Sequence, residues 1–170
     1  MILSPLQDTA MFGNFDWIRV KPRITQKFGL NPQMYKQFKM KGHNGIDFGI
    51  PVGTPIFSPC DGIITVKDSG KKGYGLHVRI KTTHKPKEIV LGHFSRIVKM
   101  SNTKISVGDY IGLSGNTGFS TGAHLHLGMR RLGEQGKLVS EYDNGYYGYI
   151  DPIEYMICWK GTLTKNTLET

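Results

Sequence analysis

Short alternations of apolar and polar residues dominate the middle of the chain. Residues 76–81 (LHVRIK) put Leu76, Val78 and Ile80 on one side and His77, Arg79 and Lys81 on the other, as a half-buried antiparallel strand requires. Comparable runs at 24–28, 53–58, 61–66, 88–94, 109–114 and 122–128 are separated by Gly-, Pro-, Asn- or Ser-containing turns, and each predicts a strand. Residues 30–40 read as a polar, turn-rich loop, 82–87 as a basic turn, 115–122 as a Gly/Ser/Thr loop, and 95–100 as one helical turn. Beyond Met129 the pattern thins into a Tyr- and Gly-rich loop (132–149) and a short docking turn (152–156). Many short strands with almost no helical periodicity predict a mainly β fold. The expected architecture is a single-domain antiparallel β-sheet or sandwich with long groove-forming loops and little helix. Residues 1–23, with aromatics but no period, predict a strap packed on the domain; 24–156 form the domain itself, and 157–170 a polar, disordered tail.

Composition narrows this only slightly. The 170 residues suffice for one domain with a real core, and 22 glycines favour dense turns. No apolar run reaches membrane-spanning length. The N-terminus lacks the basic and apolar regions of a secretory signal, so the expectation is a mature form or a protein released by another route. A net charge of +9 favours polyanionic partners. The basic residues are scattered without a run of six like charges, which leaves nucleic acid or an acidic cell envelope open as partners. Cys60 and Cys158 make no disulfide framework and read as small buried residues.

The histidines change the picture. Residues 122–128 read GAHLHLG, and on a strand His124 and His126 share one face while Leu125 and Leu127 point into a core. Upstream, residues 42–49 read GHNGIDFG. On an extended strand His43 and Asp47 would lie ~13 Å apart, too far to share an ion. The glycines argue against a helix, whereas a turn at Asn44-Gly45 folds the imidazole back toward the carboxylate. Two imidazoles and a carboxylate, with water in the fourth position, are a usual ligand set for catalytic zinc. Such a centre keeps a net positive charge, which lowers the pKa of its water, and the reaction also needs a base and an oxyanion donor. His93, brought to a strand end by Ile89, Val90 and Leu91, joins the candidates. His77 and His84 read as structural or solvated. Spacing alone leaves open which member of the 124/126 pair holds metal.

Taken together, His43 to Asp47 (HNGID), Gly53 to Ile56 (GTPI), Asp61-Gly62, Gly92-His93 and Gly118 to His126 (GFSTGAHLH) closely resemble the lysostaphin-type zinc endopeptidases of peptidoglycan. The resemblance runs from about Ile24 to Tyr155, and Asp151-Pro152 with Tyr155 is similar to the family's closing motif. It implies that His43, Asp47 and His126 bind one Zn²⁺ and that His93 and His124 are the catalytic pair, acting on water and oxyanion. The chain departs from the family at Leu91, where Tyr is common, at Ala123, where Pro is usual, and at Gly128, where Glu often stands. These positions shape the groove and remove no ligand or base.

The expected function is zinc-dependent hydrolysis of an amide bond in peptidoglycan stem peptides or cross-bridges, in a groove walled by residues 30–41, 82–87 and 132–149. The expected place of action is the cell wall, periplasm or exterior, as a phage lysin, a virion-associated protein or a mature secreted enzyme, with peptidoglycan and anionic wall polymers as the expected partners, no nucleic acid, and a monomer as the expected state. Two other classes compete. A non-catalytic regulator of wall hydrolases would use the same fold without its ligands, and a biotinyl or lipoyl carrier would carry a modified lysine in an exposed hairpin. All five site positions are filled here, and Lys67 and Lys71 lack the carrier's setting.

Overall fold

In the computed structural model, residues 18, 22–83, 87–133, 136–137 and 144–155 are described. Eleven strands follow one another among these residues: β1 (Arg23–Gln26), β2 (Gly45–Gly49), β3 (Pro55–Phe57), β4 (Gly62–Asp68), β5 (Leu76–Thr82), β6 (Lys87–Gly92), β7 (Phe94–Ile97), β8 (Thr103–Ile105), β9 (Tyr110–Ser114), β10 (His124–Arg131) and β11 (Tyr149–Ile150). They build two antiparallel sheets. The larger has the order β1-β2-β10-β6-β5-β4-β8, with β11 also paired to β10; the smaller has the order β3-β9-β7. The mainly antiparallel β architecture expected from the alternation is the one observed.

The same alternation builds the core. Leu125, Leu127 and Met129 of β10, Ile89 and Leu91 of β6, and Val78 and Ile80 of β5 are fully buried in one cluster with Ile56, Phe94 and Ile111 of the small sheet. Each such side chain contributes about 1.5–3 kcal/mol by leaving water. The small sheet therefore covers one face of the large one, and the opposite face is free to carry polar chemistry.

Two local expectations are corrected. Residues 95–100 do not form a helical turn: most of the segment is β7, paired in antiparallel register with β9 through Ile97 and Gly112. The spacing of Ile97 and Met100 suits a helix locally, but pairing with β9 decides the conformation. Within the loop expected over 30–40 there is a short helix α1 (Pro32–Tyr35), opened by proline in its first turn, followed by a 3₁₀ turn over Lys36–Phe38. The middle of the groove wall expected from 82–87, residues 84–86, lies outside the described residues. Of the strap, Ile18 is buried and bridges Ile56; the remainder of 1–21, His84 and the tail over 157–170 with Cys158 lie outside the described residues. Cys60 is buried, and burial pushes its thiol up to about 12.

Candidate metal centre

β2 and β10 lie side by side with Asp47 directly opposite His126 and Gly49 opposite His124. This register puts Asp47, His124 and His126 on the face away from the core. His43 precedes β2, and the bend at Asn44 returns its ring to Asp47, as the turn signal requires. His43 Nε2 lies 3.1 Å from Asp47 Oδ1 and 3.0 Å from His126 Nδ1, and His126 Nδ1 lies 3.0 Å from the same carboxylate oxygen. All three residues are buried.

These three atoms fit a zinc ion. Bonds of ~2.0–2.1 Å in a tetrahedron hold ligand atoms ~3.3 Å apart, close to the spacing found here. The tautomers agree as well. His43 Nδ1–H donates to the Lys27 carbonyl at 3.2 Å, leaving the Nε2 lone pair for metal. Burial would raise the Asp47 carboxyl, but the adjoining His126 and His43 rings outweigh it and hold the group well below the usual carboxylate range. Burial pushes His126 down to about 4, so the ring is neutral. His126 Nε2 has no partner, packed where a Cβ on Gly128 would lie 3.2 Å away and would also meet the Tyr149 ring at 2.8 Å. The place of the family's usual Glu is thus occupied by Tyr149. A Cβ on Gly45 would meet His126 Cε1 at 2.6 Å, so only glycine admits the imidazole there.

His93 and His124 face this centre with ring centroids 4.4 Å apart. His93 sits at the corner where the chain leaves β6 in the large sheet for β7 in the small one, with φ 68°, a left-handed conformation uncommon outside glycine. Its Nδ1–H donates to the Thr117 carbonyl at 2.6 Å, and burial beside His126 and His124 pushes it down to about 3. His124 Nδ1–H donates to the Gly122 carbonyl at 2.7 Å, and its Nε2 lies 3.6 Å from Asp47 Oδ2. Both rings therefore present an acceptor nitrogen to the groove. All five expected site residues come together.

His77 does not join them. It is buried on β5, with Nδ1–H donated to the Gly75 carbonyl at 2.8 Å.

The groove holds about 410 Å³. Its walls are Met34, Tyr35, Phe38 and Met40 on one side and Phe119, Ser120 and Thr121 on the other, with Tyr147 and Tyr149 beyond. Among the described residues of 82–87 none lines it. Phe38 and Phe119 meet edge-on across the two walls, centroids 5.1 Å apart. Tyr35 was not singled out by sequence, because a tyrosine in a polar loop carries no periodic signal. Its ring lies 5.3 Å from that of His43, its hydroxyl accepts from Gln26 Nε2 at 3.2 Å, and burial together with Asp47 pushes it up to about 12. The phenol stays protonated and retains a hydrogen to donate.

Known proteins resemble this chain in sequence and in fold. Residues 41–140 match the model of peptidase family M23. The chain is 38% identical over 85 residues to the peptidoglycan DD-endopeptidase ShyA of Vibrio cholerae, covering 49% of this chain and 19% of that protein. The catalytic domain of the antimicrobial peptidase lysostaphin from Staphylococcus simulans superposes with a TM-score of 0.65 at 22% identity, over 79% of this chain and 91% of that one. A variant of the catalytic domain of the prophage-encoded M23 protein EnpA from Enterococcus faecalis gives a TM-score of 0.57 at 34% identity, over 69% and 87%. The chain spans between 19% and 31% of the length of the first curated relatives it matches.

Proposed function

The chain belongs to peptidase family M23, and on that premise we propose that it is a zinc-dependent endopeptidase cleaving amide bonds in the stem peptides or cross-bridges of bacterial peptidoglycan. The observation that carries this reading is the convergence of His43 Nε2, Asp47 Oδ1 and His126 Nδ1 beneath the acceptor nitrogens of His93 and His124. A non-catalytic wall regulator would have no use for that complete set.

His43, Asp47 and His126 hold the ion, and zinc, when bound, supplies a Lewis acid for the scissile carbonyl and a lowered pKa for a nearby water. His124 Nε2 takes the proton of the attacking water, with its ring fixed by the Gly122 carbonyl. His93 Nε2 accepts a hydrogen bond and orients the same water. It can serve the oxyanion only after it has itself gained a proton, because its other nitrogen is committed to Thr117. Tyr35 supplies the hydrogen bond to the oxyanion. Replacing Tyr35 with Phe is expected to lower kcat about 100-fold while zinc content stays unchanged, the range for one lost oxyanion donor; unchanged kcat on a defined peptide would remove Tyr35 from the mechanism.

The experiment that tests the function is digestion of purified peptidoglycan from several wall types, with products read by mass spectrometry. New amine ends that disappear with a chelator and return with zinc are the expected result, and products indifferent to chelator overturn it. The place of action is the wall, from the periplasm or the exterior. With a net charge of +9 the enzyme is held on anionic wall polymers, so activity on intact wall falls between low and moderate ionic strength. Activity indifferent to salt would remove that attraction from the proposal.

A further inference from the structure

The groove does not end at the metal centre. The face of β10 that carries His124 and His126 continues through Gly128 to Arg130, and side chains two residues apart share a face. Arg130 thus stands ~13 Å of strand beyond His126. Glu88 of β6 lies directly opposite Arg130, and Arg79 of β5 stands on the next strand over. Both arginines line the same groove as the zinc ligands.

Their hydrogen bonds are lopsided. Arg79 Nη1 donates to Glu88 Oε1 at 2.7 Å, Arg130 Nε donates to that same oxygen at 3.1 Å, and Arg130 Nη2 also donates to it. Two guanidiniums share one oxygen of one carboxylate, which leaves the cluster with a formal charge of +1. Arg79 Nε is buried without a partner. The side chains are only 20% exposed for Arg79, 12% for Arg130 and 9% for Glu88. The aromatic neighbours do not balance the charge. Arg79 lies 5.9 Å from the Tyr74 ring and Arg130 lies 4.8 Å from the Tyr149 ring. Burial raises Tyr74 well above its ordinary value, so that phenol is neutral.

A purely structural ion cluster closes its own charge, because a half-buried uncompensated cation is costly. This one leaves a cation facing the substrate groove, and a guanidinium fork matches the plane and spacing of a carboxylate. We propose that Arg79 and Arg130 form a carboxylate subsite, ~4 residues of extended chain from the metal centre, that takes a free carboxylate of the substrate peptide. The inference rests on the endopeptidase reading and narrows its substrate to peptides bearing such a group, as stem peptides do.

The test compares a peptidoglycan stem peptide bearing free carboxylates with the same peptide fully amidated, bound to the zinc-loaded full chain in its His124→Ala form and followed by calorimetry. Amidation is expected to weaken binding at least 10-fold. Arg130→Gln is expected to abolish that discrimination with zinc content unchanged. Arg130→Lys, which keeps the charge but loses the fork, covers the case in which the glutamine variant does not fold, and is expected to retain less than half of the discrimination. Equal binding of the two peptides, binding of neither, or full discrimination in the variant that folds overturns the subsite. Cleavage of free and amidated walls at equal rates also overturns it and leaves the hydrolytic function standing. Discrimination in binding by a protein that cleaves no wall does the reverse.

Discussion

Replacing His126 with alanine leaves a folded protein that no longer retains zinc and no longer cleaves peptidoglycan. On the proposed function the ring is one of three protein ligands, and its Nδ1 sits 3.0 Å from both His43 Nε2 and Asp47 Oδ1. Site energies of ~10–16 kcal/mol shared among four ligands assign roughly 3 kcal/mol to each, or about 100- to 1,000-fold in affinity. Fold survives because His126 lies on the polar face of β10, while Leu125 and Leu127 on the other face keep the core. Metal content after dialysis against a weak chelator, with circular dichroism alongside, reads both halves of the expectation. His77→Ala is the control: that ring is also buried, but it lies on β5 with its hydrogen bond to Gly75 and should leave zinc content unchanged. Zinc retained at full occupancy by His126→Ala would remove the residue from the ligand set.

The strand face that carries the candidate ligands was legible in sequence for a simple physical reason, while the choice of His126 over His124 came only from the family resemblance. A strand has period two, so the order His-Leu-His states which residues face a core and which face a site, and β10 obeys it. The bend at Asn44 was equally readable, from the Asn-Gly pair there, and Gly45 after it also admits the His126 ring. What sequence could not display depends on register between distant strands. Arg79, Glu88 and Arg130 meet only because β5, β6 and β10 are neighbours in the sheet, an order that local pattern does not encode. The wall at Phe119 was missed for a similar reason: a Gly/Ser/Thr loop gives no sign of the chain it will face, and Phe38 crosses to meet it. Tyr35 lies in a helix too short to show a period. The corner at His93 rests on a positive φ imposed by the switch between sheets, which no residue type at that position announces.

His124→Ala separates binding from chemistry. The side chain contributes no atom to the group formed by His43, Asp47 and His126, and its Nε2 stands 3.6 Å from the other oxygen of Asp47. Zinc affinity should therefore change little. The rate should not survive, since a positioned base contributes about 100- to 10,000-fold and the Nε2 of His124 is held toward the groove by the Gly122 carbonyl. His93 presents a second acceptor nitrogen on the same face, which limits the loss only weakly: it can accept the proton, but burial holds it down at about 3, and so weak a base transfers poorly near neutral pH. The expected outcome is a protein with one zinc per chain and kcat on a defined peptide reduced by at least ~100-fold. The double variant lacking both rings should be slower again, because the residual rate of the single variant runs through His93. Full activity in His124→Ala would give the base to His93, and a double variant no slower than the single would show that His93 takes no part in the proton transfer.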